Sequence, residues 1–306
     1  MFIFDTVTIG GKCKNRHIFA SHAKIIMNIM GNLLQGKKGI IFGALNEQSI
    51  AWKVAERAVE EGAEIVLTNA PAALRFGTIN ELAAKCNSIV IPADATNLDD
   101  LGNLIDKAME HFGGKFDFIL HSIGMSPNLR KGLTYENLNY EYLNKTLDIS
   151  AISFHKVIKT AYEKDALNEW GSIVALSYLA AQRTVCGYDD MADAKSLLES
   201  IARSFGYVYG RDRKVRINTV SQSPTLTTAG SGVAGLSKLL DYAEAMSPLG
   251  NGTAEECADY VLTLFSDYTR KITMQNLYHD GGFSSMSMSL NAMELIELGL
   301  EAVKEE

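Results

Sequence analysis

Tyr188 and Lys195, with six residues between them, are a pair able to do acid chemistry. On an α-helix, seven steps of roughly 100° return close to the starting azimuth, about 10 Å further along the axis. The spacing therefore predicts both side chains on one helix face. A phenol beside an ammonium is an acid whose anionic form has a cation to steady it. Cys186, two residues before Tyr188, is a conceivable nucleophile, but a small buried or half-buried thiol is the plainer reading.

Such a pair must be positioned by larger elements. Gly39 to Gly43 is a short apolar run ending in glycine and reads as a buried parallel strand. Helical spacing follows from Gln48 to Glu61, with Gly62 closing it. The alternation continues with strands at Glu64–Thr68, Ser88–Ile91, Phe116–His121, Gly171–Leu176, Val215–Val220 and Met274–Tyr278. Helices are expected at Leu74–Lys85, Leu98–Phe112, Tyr135–Lys164, Met191–Tyr207 and Ala254–Phe265. Seven strands alternating with helices imply right-handed crossovers and one parallel sheet.

The turn after the first strand, Gly43 to Ala51, suits a dinucleotide pyrophosphate. Backbone must come close to the phosphates there, and the helix start offers free N–H groups. Gly43, Ser49 and Ile50 are its candidate contacts, although the full glycine-rich pattern is absent and a plain turn fits equally. Asp94 and Ala95 at one strand end could meet adenine. Ser122, Ile123 and Gly124 at another are small enough to admit a ribose. Each of these strand ends could also be an ordinary one. The end of the second strand, Leu67 to Pro71, has no Asp or Glu to grip both ribose hydroxyls. No Arg or Lys lies from Thr68 to Ala73, which favours NADH. Arg75, expected inside the next helix, keeps NADPH open.

Composition narrows the field. The chain has 306 residues, a net charge of −7 and 47% hydrophobic residues, ordinary for a globular protein. The acidic balance disfavours nucleic acid as the main partner, yet leaves room for an acidic carrier protein on a local basic patch. Four scattered cysteines and no histidine cluster argue against disulfides and metal, and a reducing cytoplasm fits. No apolar run reaches the roughly 20 residues of a membrane span.

Taken together, the motifs resemble the divergent enoyl-acyl-carrier-protein reductase branch of the short-chain dehydrogenase/reductase superfamily. The segments that carry the likeness are Gly43 with Ser49-Ile50-Ala51, His121 to Gly124, Leu147 to Ser150, Leu176 to Leu179, Tyr188 with Lys195, and His279 to Phe283. The seven-residue Tyr-to-Lys step is the specific part, since typical members of the superfamily place lysine four residues after tyrosine. The resemblance implies an α/β fold: a single Rossmann-like doubly wound domain with a seven-stranded parallel sheet and a helical substrate lid. It implies hydride transfer from NAD(P)H, with NADH favoured, to the β-carbon of a trans-2-enoyl thioester on an acyl carrier protein. Tyr188 would bond the thioester oxygen and Lys195 the nicotinamide ribose. Tyr178 would be a second active-site tyrosine, either shaping the pocket or assisting proton delivery. Pro224, Thr225 and Thr227 join the cofactor contacts, and a cytoplasmic homotetramer is the implied assembly.

Three segments complete the expected organisation. Residues 1–29 read as a disordered extension or an early start codon, residues 30–289 as the reductase domain, and 290–306 as a helical tail packing on its own or a neighbouring subunit. Within the domain, Ser221 to Gly250 reads as the lid, with a helix at Leu236–Met246. Thr225, Thr227 and Thr228 would face the cofactor. Val233, Leu236 and Leu239 would cover the acyl chain, and Gly230, Gly232 and Gly235 would let the backbone move. Two other readings share this pattern: a carbonyl or ketoacyl reductase of the same fold, and a non-catalytic dinucleotide sensor.

Overall fold

Apolar alternation along each strand builds two cores, one on each face of a sheet. In the computed structural model, which describes residues 32–227 and 236–305, strand β1 spans Lys38–Phe42. Ile40 and Phe42 join the cluster on one face, and Ile41 joins that on the other, as a period of two requires. β5 (Leu167–Ser177) divides likewise, Ile173 and Ala175 against Val174 and Leu176. Each fully buried aliphatic side chain contributes about 1.5–3 kcal/mol, so a sheet buried on both faces is strongly held.

The other strands are β2 (Glu64–Thr68), β3 (Ile89–Val90), β4 (Phe116–His121), β6 (Arg216–Gln222) and β7 (Asn276–His279). All pairings are parallel, in the order β3-β2-β1-β4-β5-β6-β7. The helices α1 (Ile50–Glu60), α2 (Ile79–Lys85) and α9 (Ala254–Phe265) pack on one face. The helices α3 (Leu98–Phe112), α6 (Ser153–Glu163) and α7 (Asp189–Arg213) pack on the other. The remaining helices in chain order are α4 (Pro127–Arg130), α5 (Tyr140–Leu147), α8 (Leu236–Met246) and α10 (Leu290–Glu305). Local chemistry sets several boundaries. The Asn97 side chain accepts from the Asp99 and Asp100 N–H groups at the start of α3, and Gly113 at φ +72° closes it. Thr253 and Glu256 form a reciprocal capping box on α9.

Several boundaries differ from expectation. The helical run from Tyr135 to Lys164 is broken into a 3₁₀ turn at Tyr135–Asn137, α5, a π-helical stretch at Asp148–Ile152 and α6. Apolar periodicity runs through such breaks, because a wider turn shifts the face by only one residue. Asp148 opens the π stretch and pairs with Lys156 at 2.7 Å. The helix expected at Leu74–Lys85 divides into a 3₁₀ turn, Ala73–Arg75, and α2. α7 is longer than expected and starts at Asp189, so Tyr188 is its N-cap residue rather than a member of its face. β7 begins two residues late because Met274 takes φ +63°. β5 starts four residues early, with Trp170 at φ +67° and a register irregularity against β4.

The Gly281-Gly282 turn is tight: φ is +61° and +93°, and a Cβ on Gly281 would stand 1.9 Å from the Gly250 carbonyl oxygen. The α10 helix forms, with Ala292 buried in a cluster with Ala243 and Met246 of α8, while Leu290, Met293, Ile296 and Leu300 are exposed along it. Residues 1–29, and within the lid Thr228, Gly230, Gly232, Val233, Gly235 and the Leu236 side chain, lie outside the described residues. No helix among the described residues is long and apolar enough to cross a membrane.

Candidate active site

Strand order reverses between β1 and β4, and a crevice opens outside the carboxyl ends of strands at such a point. Two cavities lie here and share a wall made of Ile50, Ser122, Ile123, Gly124, Met125, Arg130 and Thr227. Gly43, Ser49, Asp94 and Ala95 line the second cavity. Tyr178, Tyr188, Lys195, Pro224 and Thr225 line the first, together with Leu239 from α8. The catalytic and cofactor candidates Gly43, Ser49, Ile50, Asp94, Ala95, Ser122, Ile123, Gly124, Tyr178, Tyr188, Lys195, Pro224, Thr225 and Thr227 therefore stand on one wall or the other of a continuous cleft.

Gly43 shows why the cleft exists. Its φ is +94°, open to glycine and costly for other residues. A Cβ there would stand 2.0 Å from the Ser122 carbonyl oxygen, so the turn after β1 can lie against the end of β4 only without a side chain. Ser49 does not hold its hydroxyl ready for phosphate: Oγ donates to the Asn46 carbonyl at 2.6 Å and accepts from the Leu45 N–H at 3.2 Å. Asp94 is similarly engaged, accepting from the Thr96 N–H and hydroxyl. Thr225 Oγ1 donates to the Ser223 carbonyl at 3.0 Å. A dinucleotide would meet backbone groups and apolar walls here more than free hydroxyls.

The first cavity holds the reactive groups. Tyr178 follows β5 directly in extended backbone, which turns its ring off the sheet edge. Tyr188 is carried back over it by a loop with Gly187 at φ +76° and Asp189 at φ +38° on either side. The two rings lie 4.8 Å apart at 55°. Tyr178 is buried, and its hydroxyl has no hydrogen-bond partner among the described residues. Burial holds the Tyr178 phenol well above its usual range, with Asp280 adding to it. Burial does the same for Tyr188, with Tyr178 adding. Both are therefore proton donors near neutrality.

Lys195 is 7% exposed on the buried side of α7, and its Nζ donates to the Leu176 carbonyl at 2.8 Å. Burial lowers it to about 8, while Glu199 one turn on pulls the other way. Glu199 is itself buried. It accepts from Ser177 Oγ at 2.7 Å and from Gln182 Nε2 at 2.8 Å, tying the end of β5 and the turn after it to α7. His121 beneath the shared wall is buried, and burial and then Lys195 lower it to about 3. It is neutral, with Nε2 2.9 Å from Ser153 Oγ. Cys186 is exposed and lines neither cavity, against the expectation of a covered thiol.

The sequence alone did not single out Arg130, Met125 or Met191 on the walls, nor the buried Asp190 behind them. Asp190 had a readable signal, an acid within the first turn of a helix, but nothing local marks it as buried. Among the described residues, no group of three or more acidic, histidine or cysteine side chains is placed to hold a metal.

A family profile described as enoyl-(acyl carrier protein) reductase matches residues 43–284. The chain is 34% identical over 272 residues to an enoyl-acyl-carrier-protein reductase (NADH) 2 of Rhizobium meliloti, covering 88% of this chain and 99% of that one. It is similar to the crystal structure of a FabI–NADH complex from Alistipes finegoldii, with 76% identity, a TM-score of 0.85, and 86% and 93% of the two chains covered. The Bacillus cereus enoyl-acyl carrier protein reductase with NADP+ and an indole naphthyridinone also matches, at 30% identity and a TM-score of 0.78. That match covers 84% of this chain and all of the other.

Proposed function

Because this chain belongs to the enoyl-(acyl carrier protein) reductase family, we propose that its cleft binds NADH across the shared wall and reduces a trans-2-enoyl thioester in the first cavity. The observation that carries this reading is the meeting of Tyr178, Tyr188 and Lys195 on one cavity wall, beside the cleft that Gly43 opens. The residues fit a dinucleotide: the Gly43 turn has no room for a side chain, and the Tyr178 hydroxyl is buried without a partner. When bound, NADH supplies the hydride. Gly43, Ser49, Ile50, Asp94 and Ala95 line the adenosine side. Ser122, Ile123, Gly124, Pro224, Thr225 and Thr227 line the path to the nicotinamide. NADH is preferred to NADPH because Arg75, the nearest base after β2, is exposed and lines neither cavity.

Tyr188 is proposed as the donor to the thioester oxygen. Negative charge develops on that oxygen as the β-carbon is reduced, and a donor aimed there stabilises the transition state more than the ground state. Its raised pKa keeps the proton on the phenol until then. Lys195, a cation with one hydrogen bond used on Leu176, has donors left for a ribose hydroxyl and places positive charge near Tyr188. Tyr178 packs against Tyr188 and excludes water from its ring. An acyl carrier protein as the bearer of the thioester, a homotetrameric assembly and a cytoplasmic location belong to the same reading.

The deciding assay follows cofactor oxidation by the purified protein with crotonyl and acetoacetyl thioesters, using NADH and NADPH in turn. Turnover of the crotonyl thioester with NADH is expected. Preference for the acetoacetyl thioester would make the protein a ketoacyl reductase, and binding of NADH without turnover would make it a sensor.

The segment from Ser221 to Gly250 is proposed as the lid. Leu239 on α8 lines the first cavity, and this connection follows β6 at the ligand edge of the sheet. Its amide hydrogens should exchange more slowly with cofactor and an enoyl-thioester analogue bound than in the free protein. Equal protection in both states would make it a static excursion.

A further inference from the structure

α4 is a four-residue helix held with unusual thoroughness. Ser126 caps it, its Oγ accepting from the Leu129 N–H at 3.0 Å and donating to Asp190 Oδ1 at 2.7 Å. Asn128, fully buried, donates through Nδ2 to Asp190 Oδ2 at 2.8 Å and accepts through Oδ1 from the Asn139 N–H at 3.1 Å. Thr146 Oγ1 on α5 donates to the same carboxylate oxygen at 2.7 Å. The Asp190 carboxyl group is thus fully buried with three neutral donors from two segments, and a buried network satisfied in this way makes its members rigid. What it makes rigid is the turn that ends in Arg130.

Arg130 is exposed and lines both cavities. Its side chain has no carboxylate or other hydrogen-bond partner among the described residues. Among the described residues, the walls of the two cavities carry two basic side chains, Arg130 and Lys195, and one carboxylate, Asp94, whose Oδ1 is taken by Thr96. In a chain of net charge −7, an unpaired guanidinium on a fixed turn at the junction of two cavities is placed for an anion. Its planar fork matches the geometry of a phosphate better than an ammonium would.

We propose that Arg130 binds a phosphate group at the junction of the two cavities. The proposal rests on the function argued above, which brings phosphate to this point from two sources: the pyrophosphate of the cofactor, and the phosphate of the phosphopantetheine arm that carries the enoyl chain.

The test compares wild type with Arg130→Ala. NADH affinity is read by fluorescence titration. At saturating NADH, kcat/KM is read for crotonyl-phosphopantetheine and for crotonyl-pantetheine, which differ only in the phosphate. Loss of one charge-assisted contact is expected to cost about tenfold. A tenfold rise in the NADH Kd, with both thioesters still used alike, assigns the contact to the cofactor. A tenfold fall confined to crotonyl-phosphopantetheine assigns it to the substrate arm. An active variant within twofold of wild type on all three readings overturns the proposal, as does an equal loss on both thioesters with NADH binding unchanged. Wild-type protein that turns over neither thioester would instead overturn the reductase reading itself.

Discussion

Tyr188→Phe is expected to lower kcat by about 10²–10³, the usual cost of losing one donor to a developing oxyanion, and to leave the NADH Kd within about twofold. The ring remains, so its packing against Tyr178 at 4.8 Å and the cavity wall are kept. Only the hydroxyl is removed, and that hydroxyl is proposed to act on the thioester oxygen after charge has begun to build. The loss should therefore fall on kcat and kcat/KM together, the signature of an interaction made in the transition state. Tyr178→Phe is the natural comparison. Its hydroxyl is more deeply buried and has no partner among the described residues. Wild-type kcat in Tyr188→Phe, with the loss appearing in Tyr178→Phe, would exchange the two roles.

Lys195→Ala is expected to weaken NADH binding by about 10- to 100-fold as well as to lower turnover, since a hydrogen bond from a charged donor is worth about 1.5–3 kcal/mol. An unchanged Kd would remove Lys195 from the ribose. The same residue predicts a pH dependence. Burial lowers it to about 8 in the free protein, so the cation is lost as pH rises through that value, and NADH affinity should fall with it. The neighbouring groups leave this window clear: His121 is lowered to about 3, and burial raises both Tyr178 and Tyr188. The stability consequence has the opposite sign. The unfolded chain binds its lysine proton more tightly than the folded one, so the cost of burying the charge is fully present below about 8. It is relieved as pH climbs from there toward the unfolded value. Lys195→Ala should lose both trends, measured as NADH Kd and as thermal midpoint against pH.

The sequence by itself determined the sheet and most of what lies along it. Strand alternation is local: Ile40, Ile41 and Phe42 carry enough information to place them on two faces. Short apolar runs separated by helical periods leave little but a parallel sheet with crossovers. The turn proposed to hold the cofactor was visible for a similar reason. Gly43 stands between a strand and a helix, where only backbone without a side chain can lie against the Ser122 carbonyl. Tyr188 and Lys195 were found by their spacing, yet the helix-face argument behind it was incomplete. Tyr188 stands just before α7, and it meets Lys195 at the same cavity because Gly187 and Asp189 turn the loop inward.

Tertiary structure alone decided the rest. Whether a polar residue is buried depends on what packs over it from distant segments. Asp190 reads locally as an ordinary first-turn acid, and it is a buried anchor because Ser126, Asn128 and Thr146 arrive from elsewhere in the chain. The lowered pKa of Lys195 and the raised phenols of Tyr178 and Tyr188 come from burial that no short window of residues encodes. Arg130 was one exposed base among many until α4 was seen to hold it at the wall common to both cavities. The exposure of Cys186 and the interruption of the run from Tyr135 to Lys164 have the same origin. Apolar spacing records which side of an element is covered, and the neighbours that cover it are chosen by the fold.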